Sequence, residues 1–206
     1  SKRMPWYVDG PLVRHLEDVQ LNAEITDMPF RMPVQYVIRP LSNELHDYRG
    51  YAGTIESGHI EVGQQIAVMP SGANTIITDI DRPNGAVSSA SESDAVTIRI
   101  DGDLDISRGD MLTSPNEKPT IDNHFEATVC WMTDKTSLKA GVMVRIKHTT
   151  HTVRALILGV EFKVDVNDLS ARLVSEELAI NEIGQVSMKT TEPLIFDEYI
   201  DNRATG

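Results

Sequence analysis

The chain has 206 residues, of which 40% are hydrophobic and 24% charged, and its formal net charge at pH 7 is −12. This length can hold one large domain or two domains of about 100 residues each, and the ordinary composition excludes a disordered tail, a coiled coil and a collagen-like chain. The acidic balance argues against extended binding to DNA or RNA, because such binding depends on basic residues that neutralise phosphates.

Two segments have a helical pattern. Pro11–Leu21 places apolar residues on one face and charged residues on the other, and proline suits the first position of a helix. We therefore predict a short N-terminal helix. Leu169–Leu178 fits either a second short helix or a loop between strands. The apolar face of the first helix comprises Leu12, Val13, Leu16 and Val19.

The remaining apolar segments are short, rich in β-branched residues and separated by Gly, Pro, Asn, Asp and Ser, which is typical of strands. Several alternate, so that Val142, Val144 and Ile146 share one face of a half-buried strand. The predicted strands are Val34–Ile38, Gly50–Ile55, Gln65–Met69, Thr75–Ile80, Ala95–Ile100, Ala127–Met132, Val142–Ile146, Thr152–Val160 and Gln185–Met188.

Many short strands at this spacing indicate small barrels or sandwiches. The strand pattern is interrupted at Ser114–Thr120, where two prolines stand among polar residues. We therefore predict an all-β fold of two consecutive small β-barrels with a short N-terminal helix. Residues 1–27 would form a linker and helix, residues 28–114 the first barrel and residues 115–206 the second.

The common catalytic motifs are missing from the sequence. Neither Lys135-Thr136 nor Lys189-Thr190 follows the glycines of a phosphate-binding loop. A Gly-x-Ser-x-Gly nucleophile motif does not occur either. We therefore predict no catalytic and no cofactor-binding residues in this chain.

Two patterns have the look of metal sites. His148 and His151 lie three positions apart, but on one strand such residues point to opposite faces. Asp101–Asp105 resembles the start of a calcium loop, but Ile106 and Leu112 stand where glycine and glutamate are needed. We therefore predict surface strand residues and a turn, respectively, and no metal site.

Two further features have ordinary structural interpretations. Arg108-Gly109-Asp110 reproduces an adhesion tripeptide, but a tight turn before a strand at Met111-Leu112 is the better prediction. Cys130, the single cysteine, lies in the apolar run Ala127–Met132, which indicates a buried structural thiol.

Sequence features also bear on the compartment. A lone cysteine excludes an internal disulfide framework and suits a reducing compartment. No apolar run approaches the roughly 20 residues of a membrane span, and the N-terminal residues lack an apolar signal-peptide core. We therefore expect a cytoplasmic protein without a membrane partner.

Motifs in the first predicted barrel resemble the second domain of translation-factor-type GTPases. They are Phe30–Val37, Arg49–Gly58 and Ile60–Gly63. Glycines in these segments suit the tight turns and close strand approach of a small barrel. The resemblance implies a barrel pair like domains 2 and 3 of elongation factor Tu.

A finer resemblance is to the large (GTPase) subunit of bacterial sulfate adenylyltransferase. It begins at Met4–Tyr7 and Gly10-Pro11, before the predicted helix, and includes Asp105–Asp110 late in the first barrel. It continues through the second barrel at Phe125–Ala127, Val129–Met132, Asp165–Asn167, Leu178–Gly184, Pro193–Tyr199, Asn202-Arg203 and Thr205-Gly206.

This resemblance implies a role in sulfate activation. In that family GTP hydrolysis by the large subunit drives a small subunit to form adenosine 5′-phosphosulfate and pyrophosphate from ATP and sulfate. GTP and Mg²⁺ would belong to a GTPase domain preceding Met4, so we expect no cofactor and no activity in this chain alone. The expected partners are that GTPase domain and the small adenylyltransferase subunit, in a heterodimer or higher oligomer, without nucleic acid.

The resemblance is not complete. Gln64 stands where the family usually has aspartate, and Glu92–Asp94 stands where a turn glycine is expected. The chain ends at Gly206, where the family continues into an apolar last strand, so we expect the second barrel to be open or to pair with another chain.

One alternative remains from the sequence. The chain could be the tRNA- or ribosome-binding barrels of a translation factor, against which the acidic charge and the Met4–Tyr7 and Asp105–Asp110 motifs argue. Arg49 and Arg108, each beside a turn glycine, are candidates for contacts between domains.

Overall fold

The computed structural model of the protein describes residues 11–18, 28–40, 48–165, 168 and 172–206. Within these residues the chain forms one short helix and sixteen strands. They are α1 (Leu12–Asp18), β1 (Arg31–Ile38), β2 (Gly50–Thr54), β3 (His59–Glu61), β4 (Gln65–Met69), β5 (Ala73–Arg82), β6 (Gly85–Val87), β7 (Ser89–Ser91), β8 (Ala95–Ile100), β9 (Met111–Thr113), β10 (Thr120–Cys130), β11 (Leu138–Lys139), β12 (Met143–His148), β13 (His151–Val164), β14 (Arg172–Leu173), β15 (Glu177–Leu178) and β16 (Ile183–Phe196).

The first barrel is a closed sheet. Its seven strands follow the order β4-β9-β1-β2-β8-β5-β6, and a further pairing of β4 with β5 closes the ring. Strands β3 and β7 form a separate two-stranded ribbon. Every pairing between these strands is antiparallel. Because successive side chains of a strand point to opposite faces, every second side chain points into the barrel. The enclosed core includes Phe30, Met32, Tyr51, Ile66, Ile77, Ile98 and Leu112.

The second barrel is built on three long strands. Strands β10, β16 and β13 pair over most of their length, and β12 continues the order as β10-β16-β13-β12. Short β14 adds to β13, and β11 pairs with β15. Among the described residues β10 and β12 do not pair with each other, so they form the two edges of this sheet. The expectation of an open barrel, or of one that pairs with another chain, stays a prediction.

The all-β prediction is confirmed. Each predicted strand overlaps an observed one, and alternation was the correct signal: Val142, Val144 and Ile146 are half-buried against the second core, whereas the residues between them are exposed. The structure extends several strands beyond the predicted bounds, above all β10 and β16. The division at residues 27/28 and 114/115 stays a prediction, although the two sheets do separate between Thr113 and Thr120.

The helix predicted over Pro11–Leu21 is present over Leu12–Asp18, and residues 19–21 lie outside the described part of the chain. Its apolar residues Leu12, Val13 and Leu16 are exposed rather than packed on a partner. In the described part of the chain, no helix is long and apolar enough to cross a membrane.

The helical alternative for Leu169–Leu178 is wrong over residues 172–178, and residues 169–171 lie outside the described ranges. The structure has β14 and β15 instead. Leu178 is fully buried opposite Leu138, whereas Val174 is 98% exposed. On a helix, Val174 and Leu178 would lie on the same face and both would need an apolar surface to pack against. The two short strands bury Leu178 in the second core and leave Val174 in solvent.

Candidate functional site: the seam between the two barrels

Arg31, at the start of β1, reaches across from the first barrel to the segment that follows β16. Its guanidinium donates from Nε to Asp197 Oδ2 and from Nη2 to Asp197 Oδ1, each at 2.9 Å. Its Nη1 donates to the carbonyl of Phe30 at 3.0 Å. The side chains are only 3% and 13% exposed, so this is a bidentate and nearly dry ion pair.

The carboxylate of Asp197 is held from its own side as well. Thr205 donates from Oγ1 to Asp197 Oδ2 at 2.6 Å, and the amide of Asp197 donates to the carbonyl of Thr205 at 3.0 Å. Thr205 is fully buried. The segment after β16 therefore folds back on itself and presents a fixed carboxylate to Arg31, which satisfies the requirement that a buried charge be paired and hydrogen-bonded.

A second polar contact lies beside this ion pair. Asn202 donates from Nδ2 to Ser57 Oγ at 2.9 Å, and Ser57 donates in turn to the carbonyl of Pro29 at 2.7 Å. Both Asn202 and Ser57 are buried. Since the backbone amide of Arg31 donates to the carbonyl of Ser57, the two contacts share one stretch of backbone.

Apolar packing completes this junction, which we call the seam. Ala67, Met69 and Met111 of the first barrel form one buried cluster with Ile195 of the second. The cluster is separate from the two barrel cores. The seam therefore combines a small dry contact with directional polar bonds, and the polar bonds fix its orientation.

The hairpin between β12 and β13 supplies the two histidines of the seam. His148 and His151 are directly paired across a two-residue turn in which Thr149 has a φ of 47°. Cross-strand partners point to the same face, so the prediction of opposite faces is wrong. It assumed one continuous strand, whereas the chain reverses at Thr149-Thr150.

Each histidine of the hairpin has a different environment. His148 donates from Nε2 to the carbonyl of Thr205 at 3.2 Å, and burial lowers its pKa, although that bond and the charge of Asp197 act in the opposite direction. His151 lies with Nε2 3.4 Å from Glu192 Oε2, and its ring packs against Gly109. His148 therefore contacts the seam through Thr205, and its burial favours the neutral form of the ring.

The predicted turn at Arg108–Asp110 is confirmed and borders the seam. Asp110 accepts from the amide of Ser107 at 2.8 Å, and Gly109 has a φ of 102° that other residues rarely adopt. Burial raises the pKa of Asp110, and the charge of His151 partly offsets this. The turn thus brings a carboxylate of the first barrel beside the histidine hairpin of the second.

The candidate arginines Arg49 and Arg108 have partners inside the first barrel. Arg49 bonds to Asp103 and donates to the carbonyl of Leu104 at 3.0 Å, and Arg108 donates to the carbonyl of Gln35 at 2.9 Å. Their proposed contacts with another domain stay a prediction. The arginine that does join the barrels is Arg31, which the sequence did not single out.

The predicted burial of Cys130 is wrong, because its side chain is exposed. Phe125, Ala127 and Val129 point to the second core, so the next position along the strand must face outward. Among the described residues no group of three or more His, Cys, Asp or Glu side chains could hold a metal ion.

The sequence held little signal for the seam. Arg31 and Asp197 are 166 positions apart, and Arg31 stands between two apolar residues, Phe30 and Met32. The Met4–Tyr7 motif and residues 166–167 of the Asp165–Asn167 motif lie outside the described part of the chain. What the geometry shows at the seam is a polar and apolar connection between the two barrels.

Comparison with known proteins agrees with the two-barrel fold. Residues 124–206 match the family "GTP-eEF1A C-terminal domain-like". A solved structure of Sup35 complexed with GDP superposes with a TM-score of 0.78 at 21% sequence identity, covering 98% of this chain and 48% of that one. This likeness confirms the predicted fold of two translation-factor-type barrels.

Sequence relatives cover the whole chain. The bifunctional enzyme CysN/CysC of Mycobacterium tuberculosis (strain CDC 1551 / Oshkosh) is 46% identical over 206 residues, which are 100% of this chain and 34% of that protein. Sulfate adenylyltransferase subunit 1 of Psychromonas ingrahamii is 38% identical over the same 206 residues, which are 42% of its length. The chain thus spans about a third to two-fifths of the relatives that it matches.

Proposed function

We propose that this chain is the barrel region of a sulfate adenylyltransferase large subunit, a family with whose members it shares sequence along its whole length. Its role is to connect a GTPase domain to a small adenylyltransferase subunit. The chemistry is formation of adenosine 5′-phosphosulfate and pyrophosphate from ATP and sulfate, coupled to hydrolysis of GTP. In this proposal the barrels carry no reacting group.

The observation that carries the proposal is the buried bidentate pair of Arg31 and Asp197. If the barrels transmit a conformational change from the GTPase domain to the small subunit, the two barrels must move together as one rigid body. Contacts that hold the barrels together are therefore needed for such transmission. The ion pair, the Asn202–Ser57 bond and the apolar cluster at Ile195 all join the two barrels. Together they oppose both sliding and rotation of one barrel on the other.

GTP and Mg²⁺ do not fit the residues of this chain. The sequence has no glycine-rich loop before its Lys-Thr pairs, and the described residues hold no carboxylate cluster suited to a metal. We therefore assign nucleotide binding to the part of the relatives that lies outside this chain. A cytoplasmic location belongs to the same proposal, since a lone, exposed thiol suits a reducing compartment.

The direct test is binding of this chain to a purified sulfate adenylyltransferase small subunit, measured by sedimentation velocity at several concentrations. We expect a complex with the small subunit and none with bulk tRNA under the same conditions. Binding of tRNA without binding of the small subunit would replace the proposal with the barrel region of a translation factor.

A second test addresses the relay. In the intact subunit that the proposal places around this chain, Arg31→Met should reduce the stimulation of adenylyl transfer by GTP, while GTP hydrolysis itself is retained. The matched control is Arg14→Met, which removes an exposed ion pair in α1. Equal stimulation in wild type and Arg31→Met would contradict a relay through the seam.

A further inference from the structure

The outward face of the second sheet carries a cluster of basic residues. Arg145 and Lys147 of β12, Arg154 of β13 and Lys189 of β16 are all exposed. We call these four residues the basic cluster. It belongs to a chain whose formal net charge is −12, so its sign is opposite to that of the protein as a whole.

The strand register brings the basic cluster together. Arg145 is the direct cross-strand partner of Arg154, which places their Cβ atoms about 5 Å apart. Lys189 is the partner of Leu156, two positions beyond Arg154, and is therefore its diagonal neighbour. Lys147 lies two positions after Arg145 on the same face and is a second diagonal neighbour of Arg154. The other three cations are therefore all direct or diagonal neighbours of Arg154.

The four cations of the basic cluster are not paired with carboxylates among the described residues, although Glu126 of β10 lies on the same face, diagonal to Lys189. None of its four members forms an ion pair with another described side chain. In the first barrel, by contrast, Arg49, Arg82 and Arg99 each form an ion pair with an aspartate. Like charges directly opposite on a sheet are destabilising, so this face costs stability in the isolated chain.

Apolar side chains lie within the same face. Leu156 stands between Lys189 and Met143 in one cross-strand row. Met143 is 53% exposed, and Leu158, further along β13, is 44% exposed. A face on which exposed apolar side chains lie beside charged ones is typical of a protein–protein contact.

We propose that the basic cluster, with Met143, Leu156 and Leu158, is the docking surface for an acidic patch of the small adenylyltransferase subunit. This inference rests on the proposed function, from which the partner is taken. The chemistry that it adds is carboxylate recognition by Arg145 and Arg154, which together offer two guanidinium groups side by side. Charge complementarity would orient the partner and speed its association.

A protein partner fits the face better than RNA does. Four cations are few for a polyanion, whose affinity grows with the number of phosphates neutralised, and the remainder of the chain is acidic. The row also presents Leu156 and Met143 where a single-stranded RNA site would place aromatic rings for stacking. RNA binding is therefore an outcome that the test must be able to show.

The test reverses charge without removing any buried group. Arg154→Glu combined with Lys189→Glu inverts the centre of the basic cluster and leaves Arg145 opposite a carboxylate, so the sheet should remain folded. The matched control is Lys118→Glu combined with Lys135→Glu, two exposed lysines outside the strands of this face with the same total change in charge. Circular dichroism melts check that both variants fold.

We expect the Arg154/Lys189 variant to bind the small subunit at least about 30-fold more weakly than wild type, as like charges then meet at the contact. The control should stay within about threefold, and wild-type affinity should fall as salt is raised.

Two results would overturn the inference. If wild type and the Arg154/Lys189 variant bind the small subunit equally, the docking surface lies elsewhere and the proposed function stands. If wild type binds only tRNA and the variant loses that binding, the basic cluster is an RNA site and both proposals fail.

Discussion

The two barrels of this protein differ in whether their sheets close. The first closes its ring through the pairing of β4 with β5, and its core side chains are almost completely removed from solvent. The second leaves β10 and β12 at the ends of its described strand order. Much of its core is only half-buried, including Phe125, Val144 and Ile146. The first barrel is thus self-contained, whereas the second relies on its neighbours.

Charge follows the same division. Arg49, Arg82 and Arg99 of the first barrel are matched by aspartates of that barrel, whereas the four residues of the basic cluster form no ion pair with a described side chain. The seam lies where the self-contained barrel meets the dependent one, and there a single arginine is matched across the boundary. Under the proposed function, the first barrel would serve as a scaffold and the second as the part that meets other molecules.

The largest effect should come from removing the ion pair that joins the barrels. Arg31→Met leaves the carboxylate of Asp197 almost buried and without its cation, which we expect to cost about 3 kcal/mol of unfolding free energy. Arg14→Met, which breaks an exposed pair in α1, should change stability by less than about 0.5 kcal/mol. Urea denaturation measures both. Equal losses would mean that the seam contributes no more than a surface contact.

The next largest effect compares the cores. Ile98→Ala empties a fully buried position in the closed ring and should cost about 3 kcal/mol. Ile146→Ala, at a half-buried position in the open sheet, should cost about 1 kcal/mol, because less apolar surface returns to water. Similar losses in guanidinium denaturation would show that the second core is as well enclosed as the first.

One glycine in each barrel allows a comparison of how closely neighbouring strands approach each other. A Cβ at Gly53 of β2 would lie 2.5 Å from the carbonyl oxygen of Pro33, whereas one at Gly159 of β13 would meet Ser187 at 3.6 Å. We expect Gly53→Ala to cost about 2 kcal/mol through overpacking and Gly159→Ala to be close to neutral. Thermal melts of the two variants decide this. Tolerance of both would show that strands β1 and β2 can separate without loss.

The smallest effect concerns pH. Because burial lowers the folded-state pKa of His148 below its ordinary value of 6.5, the unfolded chain binds this proton more readily than the folded chain does. The contribution of His148 is therefore complete above pH 6.5 and is lost as pH falls from there toward the folded-state pKa. Melts at about pH 5.5 and 7.5 should show a larger acid-induced loss for wild type than for His148→Gln. An equal loss would assign the pH dependence to other groups.

Most of the strand framework could be predicted, because alternation is a local property. The turn at Arg108–Asp110 and the strand at Met111 could also be predicted, because the residues that favour a turn are likewise a local property of the sequence. The missed strands, such as β3 and β15, are too short to show a period. Cys130 was misjudged because its run of apolar neighbours obscured the fact that every second residue faces outward.

The seam could not be predicted from local patterns. Arg31 lies between Phe30 and Met32 in an apolar run, and nothing near it in sequence indicates a carboxylate. The hairpin of His148 and His151 was missed because Thr149 adopts a positive φ without the glycine or asparagine that usually marks such a turn. Both features exist only once distant segments have been brought together by the two sheets.

The separation in sequence of the seam residues has a kinetic consequence. Asp197 and Asn202 meet residues 166 and 145 positions earlier in the chain, whereas most strand pairs of each barrel join much nearer segments. Since closing such long loops is entropically costly before it is rewarded, the seam contacts should form after the rate-limiting step of folding. Loss of Arg31 would then leave the folding rate almost unchanged and accelerate unfolding. The seam would thus determine how long the two barrels stay joined rather than how quickly they form.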